Sequence, residues 1–485
     1  MPFAPEDAAR LGNAASKALK ALEPAGFAVG VVEGADLVFA EGFGFADIES
    51  GRPQHPELRQ RIGSITKTMV GLCTMALVDE GRLGLDDRLV DHIPELTIDG
   101  DSEAVTLRHL LTHTAGIGEV PTAADARRAD DSLWSDQPDD DLLGLFPDGL
   151  TLEAPPGTKW SYANLGFALV GEIVARLEGA PIAEVVRRRV FEPLGMANSD
   201  LLDRPHPDLT TCYHHRPTAE ALRLAERAGV TLPVEPTVDG TNIRGTYRYI
   251  RGGGAAGAVQ STIPDMARYA SALLARGAGI VRPGTFDQMI APQWRPDERL
   301  ESWGLTFQRM RCFGEGFFGH GGGVLGGWNT MLIVSQPRNL ALLVHANTAF
   351  EGMGPLTSQL LAALIGAEPR ALTGAPAAQV IAAAPGVYES PGGVLTNFRI
   401  MASMGRLMIK AEDSGLTLYA RRGAWRDGKR LYPGDPNDPD FLIIDDHPLQ
   451  PSPLVLVRDI AGAVVGLRCD RLVEMVRTEA VEPWA

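Results

Sequence analysis

Arg61-Ile62-Gly63-Ser64-Ile65-Thr66-Lys67-Thr68-Met69-Val70 is the stretch on which the fold of this chain is decided. A serine and a lysine stand three residues apart where an apolar run begins. If a helix starts near Ser64, Lys67 lies one turn on and on the same face. Its amino group then reaches the serine hydroxyl, which alone is a poor nucleophile and needs an adjacent base. The first helical turn also carries the positive end of the backbone dipole, which favours an alkoxide and lowers a lysine pKa. Standing alone, the tetrapeptide reads better as an N-capping serine followed by a solvated lysine. Its company further along the chain overturns that.

Tyr162-Ala163-Asn164 sits on a loop before an apolar helix. Tyrosine and asparagine at i,i+2 can point into one cleft. A phenol near a lysine ammonium serves as general base and then as acid, and asparagine offers both a donor and an acceptor to a substrate amide. The plainer reading makes Tyr162 a core aromatic and Asn164 the N-cap of the next helix; for Asn164 both can hold. His320-Gly321-Gly322-Gly323 has strand-like flanks. There an N–H can join that of Ser64 in a two-donor oxyanion hole, worth about 3–4 kcal/mol per donor. Alone, the run reads as a glycine-rich turn. His109 and His113 are i,i+4, a spacing that can ligate metal; no third ligand accompanies them, so structural histidines are expected.

The chain has 485 residues, 45% hydrophobic and 22% charged, with a formal net charge of −16. That balance argues against nucleic acid or an anionic membrane as a partner, since both demand a basic surface. Met1-Pro2-Phe3-Ala4-Pro5 opens no basic n-region and apolar core, so no secretory leader is read and a cytoplasmic location is expected. No apolar run is long enough to cross a bilayer. Cys73, Cys212, Cys312 and Cys469 fit no metal spacing and read as buried free thiols.

In chain order, the pattern predicts a helix over 5–22, a hairpin over 27–43, and an apolar helix over 69–80 that stops at Gly81. A short helix follows over 107–113, then an acidic surface excursion over 121–141 and helices over 165–177 and 182–190. Residues 204–249 read as a long irregular stretch, and a capped helix over 266–274 follows. Strands are expected over 303–311, 316–320, 326–334 and 340–347, then a helix over 357–365. Residues 366–385, rich in Ala, Pro and Gly, read as a linker or a packed-down connector. After them come eight strand-like runs, at 395–401, 406–410, 416–420, 429–432, 441–444, 454–458, 464–469 and 472–477. Near-regular spacing suggests a small antiparallel barrel.

Together the three motifs, in this order, resemble the serine β-lactamase and penicillin-binding-protein superfamily, in its class C, DD-peptidase, D-aminopeptidase and esterase branch. Leu110-Leu111-Thr112-His113-Thr114-Ala115-Gly116, Pro156-Gly157, Glu192-Pro193-Leu194-Gly195-Met196 and Ser261-Thr262 before Asp265-Met266 carry the same likeness, over about residues 10–365. The resemblance implies an α/β (α+β) fold: an antiparallel sheet with flanking helices and a helical subdomain over residues 1–370, then a small lipocalin-like antiparallel β-barrel over 371–485.

It also implies roles. Ser64 is the nucleophile, Lys67 and Tyr162 share the proton work, and Asn164 orients the substrate. Ser64 and Gly323 donate the oxyanion-hole N–H groups. His320 stands where β-lactamases carry lysine, so His-Gly-Gly replaces Lys-Thr-Gly and a permanent cation is lost. Gly321, Gly322 and Arg248 are candidate substrate contacts; Arg244 and Arg251 flank the glycine run with Arg248, and all three arginines read more readily as solvated loop charges than as a carboxylate clamp. The expected activity is acyl-enzyme hydrolysis of amides or peptides of small substrates, D-configured or otherwise unusual. Alternatives are a carboxylesterase, an acyltransferase, and a non-turnover binder or sensor on the same fold. No cofactor and no metal are expected. The expected partner is a small molecule or short peptide, and homo-oligomer formation is left open.

Overall fold

A computed structural model describes residues 3–100, 104–118, 134–135, 142–145, 149–201, 206–217, 236–247, 249–250, 252–324, 327–369, 371–390, 404–413, 415–469 and 473–479. An eight-stranded antiparallel sheet organises the first part. Its order runs Ser302–Trp303, Gln308–Cys312, Glu315–Val324, Trp328–Ser335, Leu340–Ala346, Gly26–Glu33, Asp36–Asp47, Arg52–Pro53. Gly26–Glu33 is buried along seven of its eight residues. Such a strand must be covered on both faces, and its near-continuous apolar run reflects that.

Alternation along the strands sends side chains into two separate cores. Phe27, Val29 and Val31 meet Leu11, Ala15, Leu356 and Leu360 from the helices Pro5–Leu22 and Met353–Ile365. Ala28 and Val32 face the larger core, which holds Met69 from the helix Thr66–Asp79 and Ile263 from the helix Ile263–Leu274. That same core continues into a helical region built on Leu107–Leu111, Asn164–Glu178 and Ile182–Val186. The Ser64 motif therefore lies where sheet and helical region meet. Thr262 caps its helix, its Oγ1 accepting from the Asp265 N–H at 3.2 Å.

The last part is a closed eight-stranded antiparallel barrel. Seven of its strands are where the turn spacing puts them, within a few residues. The eighth is Gly386–Glu389, which pairs with both Leu407–Glu412 and Val473–Thr478 and closes the ring. The expected run at 395–401 lies outside the described residues, as does 121–141 apart from Trp134–Ser135. Of the expected connector at 366–385, the part before the barrel is packed down. The helix Ala378–Ala383 buries Val380 against the barrel core of Leu407, Ile409, Leu418, Leu442 and Leu454.

The barrel touches the outer edge of the sheet. Arg299 holds Asp297 at 2.7 Å and reaches Asp438 of the barrel at 2.5 Å. Arg468 Nη1 donates to the Pro296 carbonyl at 2.9 Å, and Gln450 Nε2 to that of Arg311 at 3.0 Å. No helix among the described residues is long and apolar enough to cross a membrane. All four cysteines are buried and none is in a disulfide, and burial pushes the Cys73 thiol up to about 12.

Candidate active site

Ser64 sits in a 3-10 turn, Gly63–Ile65, that opens directly into the helix Thr66–Asp79. Backbone contacts clamp the turn from both sides. Ile62 N–H donates to the Val259 carbonyl at 2.9 Å, and Val259 N–H to Thr66 Oγ1 at 3.1 Å. From the sheet, Thr330 Oγ1 donates to the Ile62 carbonyl at 2.8 Å. Two glycines permit this approach. Gly63 has φ of 54°, and a Cβ there would stand 2.9 Å from Gly323 N. A Cβ on Gly322 would stand 1.9 Å from the Ile62 carbonyl oxygen. The turn bearing Ser64 thus lies against the strand Glu315–Val324 with backbone on backbone, and the Gly323 amide is beside it.

Lys67 is wholly buried, one turn beyond the serine. Its Nζ lies 3.0 Å from Ser64 Oγ, 2.7 Å from Asn164 Oδ1 and 2.5 Å from the Ala256 carbonyl oxygen. Asn164 Oδ1 and the Ala256 carbonyl can only accept. Two N–H bonds of Lys67 therefore point at them, and the remaining position faces Ser64 Oγ. An ammonium donates there; a free amine accepts. Asn164 is the first residue of its helix, and the capping position falls on Ala163. The N-cap reading of Asn164 is therefore corrected: its side chain turns to the buried lysine, because an uncompensated charge there is far costlier than an uncapped helix end.

Tyr162 stands beside this group, with its ring centroid 5.1 Å from Lys67 Nζ. Aromatic rings surround it. His113 stacks on it at 4.2 Å, Trp303 meets it edge-on at 6.0 Å, and His320 lies at 6.0 Å. Trp303 also touches His113 at 5.1 Å, Trp160 at 5.4 Å and His320 at 5.5 Å. His320 Nδ1 lies 2.6 Å from the Gly321 carbonyl oxygen. A carbonyl only accepts, so Nδ1 carries a proton.

The structure brings Ser64, Lys67, Tyr162, Asn164, His320 and Gly323 into one cluster. Gly321 follows His320 on the same strand, its Cβ position directed at the Met331 methyl on the opposite face. Arg244 is tied to Glu49 at 2.6 Å. Arg248 and Arg251 lie outside the described residues. His109 and His113 serve the fold: Thr106 N–H donates to His109 Nδ1 at 3.2 Å, Ala163 N–H donates to His113 Nδ1 at 3.2 Å, and burial holds the His109 imidazole below its usual pKa. Among the described residues no cluster of three or more His, Cys, Asp or Glu is placed to hold a metal. The sequence reading missed Trp303 and the contact of His113 with Tyr162. Both come from residues distant in the chain, and neither has a local signal.

Comparison with known proteins bears on the family and the fold. A family model described as Beta-lactamase matches residues 15–365. Esterase EstB of Burkholderia gladioli is 29% identical over 385 residues, covering 73% of this chain and 94% of that protein. Penicillin-binding protein 4* of Bacillus subtilis (strain 168) is 27% identical over 172 residues, 36% of this chain and 37% of that protein. Among solved structures, the octameric penicillin-binding protein homologue from Pyrococcus abyssi superposes with a TM-score of 0.62 at 20% identity, over 97% of this chain and 99% of that one. D-amino acid amidase from Ochrobactrum anthropi SV3 superposes at 0.59 and 21% identity, over 73% of this chain and 99% of that one. At such identities the superpositions speak for the fold.

Proposed function

The chain belongs to the β-lactamase family and is a serine hydrolase of that fold; from that premise we propose that Ser64 forms an acyl-enzyme with small ester or amide substrates. Ser64 Oγ attacks the substrate carbonyl carbon and passes its proton to Tyr162. The oxyanion takes hydrogen bonds from the Ser64 and Gly323 N–H groups. Tyr162 returns the proton to the leaving alcohol or amine as its bond to the acyl carbon breaks. Water then repeats the sequence and releases the acid. One observation carries the reading: Lys67 Nζ lies 3.0 Å from Ser64 Oγ and 2.7 Å from Asn164 Oδ1. Taken as an ammonium, Lys67 holds the serine oxygen and steadies its charge, and the proton has to go elsewhere. That work falls to the phenol beside it. Asn164, with Oδ1 on the lysine, would meet a substrate carbonyl through Nδ2.

Within this chemistry, esters come first and amides, including those with a D-configured acyl group, second. The residues alone ranked them the other way. The order changes because the relative matched over 94% of its length is named an esterase, whereas the amidase likeness is one of fold. His320 replaces the permanent cation of β-lactamases and gives a substrate carboxylate less to bind. β-Lactams are accordingly expected to be poor substrates. We also take residues 1–370 as the hydrolase unit and 371–485 as the barrel unit, and the octameric homologue makes self-association worth measuring by light scattering.

The test is a panel of p-nitrophenyl esters, D- and L-aminoacyl p-nitroanilides and a chromogenic cephalosporin, with mass spectrometry of the trapped acyl group. Ser64→Ala should stay folded and lose turnover and acylation together. Full activity in that variant, or an acyl group found on another residue, ends the proposal.

A further inference from the structure

We propose that His113 is the positioning residue of Tyr162, holding the phenol beside Lys67 by three attachments to one segment. The proposal rests on the reading of Tyr162 as the proton acceptor. The two residues flanking Tyr162 are both hydrogen-bonded to His113. Ser161 N–H donates to the His113 carbonyl at 2.8 Å, and Ala163 N–H donates to its Nδ1 at 3.2 Å. Between these bonds the Tyr162 ring lies on the imidazole, centroids 4.2 Å apart and planes 31° apart. Backbone and ring of one residue thus fix the position, the peptide orientation and the ring plane of the next.

His113 holds this place at a conformational cost. Its φ is 59°, in the left-handed region that few residues other than glycine adopt, and it is 2% exposed. Strain of that kind persists only where surrounding contacts over-determine it. Phe167 at 5.2 Å, Trp303 at 5.1 Å and Trp160 at 6.0 Å enclose the ring, and Tyr162 is the titratable group against its face. Accepting at Nδ1 from a backbone N–H fixes the neutral tautomer with its proton on Nε2. A packing histidine needs none of these specific contacts to the catalytic segment.

Two substitutions separate the contacts. His113→Asn keeps an acceptor near the Nδ1 position and tolerates the left-handed backbone, but removes the stacked ring. His113→Phe keeps a ring and removes the acceptor. Measured on p-nitrophenyl acetate, each should lower kcat by about tenfold to a hundredfold, the range expected for small misplacements of a reacting group, with KM within about twofold. The limb of the kcat–pH profile that Tyr162→Phe abolishes should move in His113→Asn. Made in the Tyr162→Phe background, either change should leave the residual rate alone, because a residue acting through the phenol has nothing further to lose. Equal losses in both backgrounds, or a lowered Tm with parental kcat and pH profile, overturns the proposal. Ser64→Ala, run in parallel, keeps the two readings apart: if it loses turnover while the His113 variants behave like the parent, only the positioning role fails.

Discussion

His345 makes a quantitative prediction about acid stability. It is completely buried on Leu340–Ala346, with Ala28 and Thr330 opposite it on the neighbouring strands. Among the described residues neither ring nitrogen has a hydrogen-bond partner. Burial alone drives its pKa from 6.5 down to about 3. The unfolded chain therefore binds a proton between these values where the folded chain does not. Stability contributed by the neutral ring is full above pH 6.5, declines as pH falls, and is exhausted near pH 3. At 1.36 kcal/mol per unit, the loss is about 2 kcal/mol at pH 5 and about 5 kcal/mol at pH 3. His345→Leu keeps similar bulk, removes two uncompensated polar atoms and deletes the titration. At pH 8 it should be neutral or mildly stabilising. Urea denaturation of parent and variant at pH 8, 7, 6 and 5 should show the gap widening in favour of the variant by about 2 kcal/mol. Parallel loss in the two proteins would refute the reasoning. So would an NMR titration placing the native His345 pKa near 6.5.

Three more expectations concern contacts around the Ser64 turn and at the barrel. Gly322→Ala drives a methyl into the Ile62 carbonyl, since its Cβ would stand 1.9 Å from that oxygen. The strand must then retreat from the Ser64 turn; kcat on a p-nitrophenyl ester should fall by about a hundredfold, the cost of a misplaced oxyanion donor, and parental kinetics would contradict the backbone-on-backbone contact. For the barrel, Asp438→Asn should cost less than about 1 kcal/mol in thermal denaturation, because the Arg299–Asp438 pair is one-third exposed. Truncation after residue 370 removes all three contacts to the segment before and after Trp303, and should lower kcat/KM on the same ester by about tenfold; an unchanged value would leave the barrel no part in shaping the cleft.

Much of this arrangement can be read without coordinates, and the parts that cannot share a cause. Ser64 and Lys67 are near in sequence, so helical spacing alone relates them. The central strand announces itself because burial on both faces leaves no polar position to fill. Gly386–Glu389 escapes notice because four residues after a proline give no alternation to detect; only closure of the ring makes them a strand. His113 looks like any histidine in a helical run. Its significance depends on a left-handed φ and on a tyrosine many residues away. Asn164 resembles a cap for a sound local reason, and a buried cation from another helix claims its side chain instead.

The barrel's interior is occupied by leucines, isoleucines and a valine from the connector helix, packed to near-zero exposure. Among the described residues these side chains fill the space that cargo would need. The sheet edge that ends at Trp303 rests on a solid wall, and a retinoid or fluorescent fatty acid mixed with this protein should remain in the solvent.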